Sequence, residues 1–315
     1  MQIQQLRTFY EVATSGSFTA AAAKLYLTQP AVTQQIRALE NELGFPLFER
    51  HGRRVHLTPA GEALLPYPTR ILALMEESLA AAREAAGQGT RTLHLGAGDT
   101  VATYILPDLI RAFHALRPDA ALRLVVGNSE RLLDALVKNE VELAIWARQE
   151  PHPLLHQRSF ALAPLVAGVQ PGDPLAARSQ IWAHELIGRR LLLRGRASAI
   201  RRFIDGLLTR AEVDTSEAIE MDHLEAIKRT VEIGYGVTVA PAFAVSREVQ
   251  HGTLAAIPLA DSGAALPLYY AHYAHRHLSP LAEAVIEFVQ APTLVASLRL
   301  VAHPGHAATE GETLK

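Results

Sequence analysis

Residues 15–44 read SGSFTAAAAKLYLTQPAVTQQIRALENELG, and this stretch decides the fold of the N-terminal part. Ser15-Gly16-Ser17 stops a preceding helical pattern over Ile3–Thr14, in which Leu6, Phe9, Val12 and Ala13 recur at helical spacing. Ser17 is placed to cap a second helix, Phe18–Leu25, whose four consecutive alanines, Ala20–Ala23, allow another helix to cross closely. Thr28 caps a third helix with Pro30 in its first turn, where a missing N–H costs nothing. On it Val32, Ile36, Leu39 and Leu43 make the buried stripe, and Gly44 ends it.

Off that stripe lie Thr33, Gln34 and Arg37, with Gln29 at the helix start. These side chains suit base edges in a major groove: Gln pairs bidentately with adenine, Arg with guanine, and Thr touches a thymine methyl or a phosphate. Residues 45–58, FPLFERHGRRVHLT, read as two short strands around a basic glycine turn, a wing that lays Arg50, Arg53 and Arg54 along phosphates. Helix, turn and wing together point to a winged helix-turn-helix, with Thr28, Gln29, Pro30, Thr33, Gln34, Arg37, Arg50, Arg53 and Arg54 as DNA-contact candidates.

The bulk numbers permit this. The chain has 315 residues, 49% apolar and 20% charged, a globular balance with room for two or three domains. The formal net charge of −2 argues against a protein that coats nucleic acid along its whole surface, yet residues 1–60 carry six basic against four acidic side chains. With no cysteine, disulfides, thiolate metal sites and thiol switches are excluded. No secretory signal and no membrane-length apolar run appears, so a cytoplasmic protein without membrane partners is expected.

Residues 59–86 read as one long helix capped by Thr58 with Pro59 at its first position. Leu65, Leu72, Leu79 and Ala86 repeat every seven residues with Pro68, Met75 and Ala82 between them, a seam that packs against a second copy. Such a helix would span roughly 40 Å at about 1.5 Å per residue. Pro66 and Pro68 should kink it or delay its regular part. Gly87-Gln88-Gly89-Thr90 is a linker by composition.

From Thr92 to about Val289 short strands alternate with helices, the pattern of an α/β domain with mainly parallel strands. Leu93–Ala97, Ala121–Val126 and Leu143–Trp146 are its first strands, and Asn128-Ser129 caps a helix. Ligands in such sheets sit beyond the strands' carboxyl ends, against helix N-termini that favour anions. Four segments converge there: 99–103, 127–129, 146–148 and 194–198. Thr100, Thr103, Asn128, Arg148, Arg194, Arg196 and Ser198 are the binding candidates, suited to a carboxylate, sulfate or phosphate, with Asp99 opposing an anion unless paired with one of the arginines. Residues 291–315 read as a frayed tail.

Residues 6–65, LRTFYEVATSGSFTAAAAKLYLTQPAVTQQIRALENELGFPLFERHGRRVHLTPAGEALL, resemble the N-terminus of LysR-type transcriptional regulators almost position for position. Phe9, Gly16, Ser17, Ala21, Gln29, Pro30, Gln35, Leu39, Gly44, Arg50, Thr58 and Gly61 are among the carriers. The family's sectioning also matches the chain to about residue 290. The resemblance implies a winged helix-turn-helix (residues 1–58), a dimerising helix (59–90) and a two-lobed effector domain (91–290) like periplasmic solute-binding proteins. Lobe one is then about 92–163 with 266–290, and lobe two about 164–265. It further implies a homotetramer built as a dimer of dimers, an interrupted palindrome of double-stranded DNA as target, a small-molecule effector, and RNA polymerase as a candidate partner. Thr100, Thr103 and residues 194–198 match the family's effector-side positions. Residues 221–237, MDHLEAIKRTVEIGYGV, are similar to a segment in regulators of Calvin-cycle and cysteine-pathway genes.

Other signals lead elsewhere or nowhere. His272, His275 and His277 are close together, but in an extended chain 272 and 275 face opposite sides with no carboxylate nearby, so no metal is expected. No nucleophile elbow, P-loop or His-Glu-x-x-His occurs, so neither catalysis nor a cofactor is expected. The competing reading, a cytoplasmic solute receptor on the same two-lobed fold, leaves residues 1–58 without a purpose.

Overall fold

A computed structural model describes residues 1–51, 54–86, 92–274, 276 and 278–299. Arg53, the linker residues 87–90, His275 and His277 therefore lie outside the described residues. The chain divides into two compact units, Met1–Thr90 and Arg91–Lys315.

In the first unit, α1 (Ile3–Ser15), α2 (Phe18–Leu25) and α3 (Gln29–Leu43) precede a hairpin of β1 (Phe48–His51) and β2 (Arg54–Leu57). The caps are those the sequence specifies: Ser17 Oγ accepts from Ala20 N, and Thr28 Oγ1 from Ala31 N. Gly44, at φ +85°, supplies the left-handed turn that ends α3. Ala21 and Ala22 are buried where α2 crosses its neighbours, and Phe9, Val12, Val32, Ile36, Leu39 and Leu47 complete the core. Phe48 fixes the hairpin to it, its ring centroid 5.3 Å from that of Phe9 and 5.8 Å from that of Phe18. Glu40 Oε1 accepts from the backbone N–H groups of Leu47 and Phe48 at 2.8 and 3.3 Å, tying α3 to the start of the wing.

The helix expected over 59–86 is two helices, α4 (Pro59–Leu64) and α5 (Pro66–Ala85). Pro66 has no N–H to continue the ladder, so the hydrogen-bonded helix breaks at Leu65, whose backbone itself stays right-handed helical at φ −53° and ψ −38°. Gly61 is buried where α4 meets the wing; a Cβ there would lie 2.3 Å from Leu47 O. Pro68 is buried and Leu65 half-buried, so the first turn of the expected seam faces inward. The exposed apolar stripe of α5 is Tyr67, Ile71 and Leu74, with Leu79 adjoining.

The second unit begins with β3 (Thr92–Gly98), α6 (Asp99–Tyr104), α7 (Leu106–Leu116), β4 (Ala121–Gly127), α8 (Ser129–Val137) and β5 (Leu143–Trp146). β3 pairs in parallel with both β4 and β5. The chain then leaves along β6 (Leu155–Val169) and continues through β7 (Leu192–Arg194), α9 (Ala199–Arg210), β8 (Ile219–Met221), α10 (Leu224–Glu232), β9 (Thr238–Pro241), α11 (Ala242–Gln250) and β10 (Ala255–Pro258). It returns through β11 (Ala265–Tyr273) and closes with α12 (Pro280–Gln290) and α13 (Pro292–Arg299).

The main sheet runs β10-β6-β11-β5-β3-β4, with β9 also on β6, and it is mixed where mainly parallel strands were expected. β6 and β11 are antiparallel to their neighbours because they carry the chain between lobes directly, without a crossover helix. The first part of β6, Leu155–Pro164, pairs with β11; the remainder, Leu165–Val169, is flanked by β9 and β10. One strand therefore belongs to two lobes. The segment read as a frayed tail starts instead with α13, whose Leu294 and Leu298 are buried in the core of this unit.

Candidate nucleic-acid interface and effector cleft

Along α3, Gln29, Pro30, Thr33, Gln34, Arg37, Ala38 and Asn41 line one concave surface. Thr28, Gln29, Pro30, Gln34 and Arg37 are exposed, opposite the buried Val32, Ile36 and Leu39. Thr33 Oγ1 donates to Gln29 O at 3.0 Å and accepts from Gln29 Nε2 at 3.4 Å, which pre-arranges the first turn. Ala38 and Asn41 extend the surface beyond the residues expected; their signal was the i+4 and i+7 spacing from Gln34. Arg50 stands on β1 across from Val55, and Arg54 on β2 across from His51.

Within the second unit a cleft opens between the lobes. Its lining includes Gly98, Asp99 and Thr100 from the β3–α6 junction, Asn128 and Ser129 at the start of α8, and Arg194, Ser198 and Ala199 at the β7–α9 junction. Asn128 and Ser198 cap their helices, accepting from Arg131 N at 2.9 Å and Arg201 N at 3.4 Å. Thr100 is buried. Arg194 reaches across to Asp99, Nη2 to Oδ2 3.4 Å, while its Nε is buried with no partner among the described residues.

Three of the expected residues are not in the lining. Thr103 turns its hydroxyl to Asp99 O at 2.8 Å. Arg148 is held by Glu150 O at 3.2 Å, and the exposed Arg196 by Glu220 Oε1 at 3.2 Å. In each case a nearby oxygen competes for the donor, which chain order alone does not reveal.

Sequence reasoning missed two buried cations of this unit. Arg201 is 0% exposed; it donates through Nε to Asp205 Oδ1 at 2.7 Å and through Nη1 to Arg194 O, with Glu220 Oε1 3.2 Å away. It thereby anchors the strand end that presents Arg194. Lys228, 2% exposed, lies between Glu225 at 2.7 Å and Glu248 at 2.9 Å, donates to Ala244 O, and sits 4.8 Å from the ring centroid of Tyr104. Burial, then the hydrogen bond to Glu225, pushes the Tyr104 hydroxyl far above its ordinary pKa. Burial alone would raise Glu225, but hydrogen bonds from Lys228 and Tyr104 outweigh it and hold the carboxyl below its ordinary value. Lys228 was visible as a lysine on the stripe Leu224, Ile227, Val231, which α10 buries.

No group of three or more metal-ligating side chains occurs among the described residues, and no described helix is long and apolar enough to cross a membrane. His272 stacks near His156, ring centroids 5.1 Å apart, and its burial lowers its pKa.

Residues 3–62 match the model of the bacterial regulatory helix-turn-helix protein, lysR family, and residues 86–293 that of the LysR substrate binding domain. A probable RuBisCO transcriptional regulator of Cyanidioschyzon merolae is 35% identical over 79% of this chain and 84% of its own length. One of the same description from Trichormus variabilis is 33% identical over 90% of this chain and 86% of its own. A full-length OxyR variant from Pseudomonas aeruginosa has a similar structure, with a TM-score of 0.68, 26% identity and 98% of both chains covered. With a DNA-binding head at one end and an effector-binding domain filling most of the rest, the chain belongs to the LysR family of transcriptional regulators.

Proposed function

We propose that the concave face of α3 reads base edges in the major groove through Gln29, Thr33, Gln34 and Arg37, with Thr28 and Pro30 at its entry. Arg50, Arg53 and Arg54 of the wing then hold phosphates on either side. The observation that carries this is the exposure of Thr28, Gln29, Gln34 and Arg37 on one face of a helix whose other face is core. The exposed stripe Tyr67, Ile71 and Leu74 supports pairing of α5 with a second copy, which gives two heads and an interrupted palindrome; a dimer of dimers follows the family.

The effector is a small anion bound in the interlobe cleft by Thr100, Asn128, Arg194 and Ser198, with Thr103, Arg148 and Arg196 at its periphery. It acts by population shift: the liganded lobes favour one arrangement of the dimers, and the spacing of the heads follows. The protein works in the cytoplasm by binding alone, with RNA polymerase as its downstream partner. The names of its relatives make RuBisCO genes the first targets to try.

The test is Gln34→Ala and Arg37→Ala in the full-length protein. Each should abolish sequence-specific gel retardation while the oligomer elutes unchanged. Undiminished binding by both variants would overturn the α3 assignment.

A further inference from the structure

The turn between α2 and α3 carries a side chain that the packing of the head does not use. Tyr26 has φ +55° and ψ +38°, left-handed backbone, and is 96% exposed. It is the C-cap of α2, its N–H closing onto Ala22 O and Ala23 O, a position where glycine or asparagine adopts the same angles at lower cost. Its neighbour Leu27 packs against the core and Thr28 caps α3. At this position, then, an aromatic ring is kept in strained backbone and buries almost nothing. Stability explains a glycine here, and it does not explain a tyrosine. Strain of this kind, held by well-formed surroundings, collects at functional sites.

The location says which function. Tyr26 stands two residues before Thr28, the cap of α3, and three and four residues before the exposed Gln29 and Pro30, at the end of α3 proposed to enter the groove. When a helix-turn-helix docks with its second helix in the major groove, that end meets base edges, and the turn before it lies over the sugar–phosphate rim. Phosphate oxygens only accept hydrogen bonds, and a phenol offers one O–H to donate together with an apolar ring to lie against deoxyribose.

We propose that Tyr26 is a DNA-contact residue whose hydroxyl donates to a phosphate at the rim of the major groove and so fixes the register of α3. This rests on the α3 reading given under Proposed function. Because the phenol is neutral it displaces no counterion, so it adds affinity without adding to the salt dependence, unlike an arginine at the same rim. Because a phosphate carries no sequence information, its contribution is the same on every duplex.

The experiment measures anisotropy of labelled DNA with full-length protein, parent and variants Tyr26→Phe and Tyr26→Asn. Two probes are used: a duplex enriched by the parent protein from a randomised library, and a random-sequence duplex of equal length. Tyr26→Phe should weaken binding to both by one common factor of about 5- to 10-fold, with the slope of log affinity against log salt unchanged. Tyr26→Asn should weaken it at least as much while raising the melting temperature, since the strain is relieved. Parent-like binding by Tyr26→Phe overturns the proposal. So does a loss confined to the enriched duplex, which marks a base contact, a salt slope shallower by about one unit, or a fall in melting temperature for Tyr26→Asn, which marks a structural ring. Parent-like binding by Gln34→Ala and Arg37→Ala sinks the α3 reading; parent-like binding by Tyr26→Phe alone sinks only this inference.

Discussion

The hydroxyl of Tyr104, at the end of α6, donates to Glu225 Oε1 on α10 at 2.5 Å, across 121 residues of chain. The first turn of α6 lines the interlobe cleft, and α10 belongs to the opposite lobe, so this bond joins the helix of the cleft wall to the far lobe. Tyr104→Phe keeps the ring over Lys228 and removes only that bond. It should lower the stability of the effector domain by about 1–2 kcal/mol, read as a lower urea midpoint, and alter the affinity for effector. An unchanged midpoint would show that water replaces the bond without loss.

Lys228 is the most sensitive member of the cluster. Lys228→Met leaves Glu248 buried beside an apolar side chain, with Glu248 Oε2 already unpartnered among the described residues. The expected cost is about 3–5 kcal/mol. The double variant Lys228→Met with Glu248→Leu should regain most of it, because Glu225 is half exposed and can be solvated. A double variant as unstable as the single one would refute that accounting.

Acid should loosen the same contact. Glu225 has its folded pKa below its ordinary value of 4.5, so its ionisation favours the folded state. That contribution is complete above the ordinary value and is lost as pH falls through the folded one. Between pH about 5 and 3, Glu225→Gln should therefore lose less melting temperature than the parent. Parallel profiles would exclude Glu225 from the acid limb.

Asp99 is paired with Arg194, the guanidinium proposed above to hold the anion. Asp99→Asn removes the internal rival for the guanidinium, so citrate or sulfate should raise the melting temperature more in this variant than in the parent. Arg194→Ala should reduce that rise, with affinity down by about tenfold. Equal responses in all three proteins would move the anion away from Arg194.

Gly61→Ala should damage the head alone. The new Cβ would lie 2.3 Å from Leu47 O and 2.8 Å from Leu57 Cδ2, which costs about 1–3 kcal/mol. DNA binding should fall while effector-induced stabilisation persists; full DNA binding would mean the wing shifts freely.

The head was legible in the sequence because its determinants are local. Ser17, Thr28 and Gly44 bound helices within a few residues, and the stripe Val32, Ile36 and Leu39 fixes which face of α3 is free. The break at Leu65 was half legible: the prolines announced it, but their effect on the seam depends on Pro68 packing inward. The cleft was legible in outline, through strand ends and caps. Its charge arrangement was not, since Glu150 and Glu220 claim Arg148 and Arg196 through pairings that periodicity does not encode. The Tyr104–Glu225–Lys228 cluster was beyond reach for the same reason, and α13 was hidden because its apolar residues, Leu294 and Leu298, sit beside a polar terminus.

The shared strand β6 sets a rule for dissecting this molecule. Its two halves pair with strands of different lobes, β11 for the first and β9 and β10 for the second, through one uninterrupted backbone. Neither lobe can be excised and expressed without tearing a strand from the middle of the other's hydrogen-bond ladder. Chimeras that trade effector preference with a relative must therefore exchange the whole of β3 to α13, or substitute individual cleft side chains. A swap at the lobe boundary would yield two unpaired edges in place of a receptor.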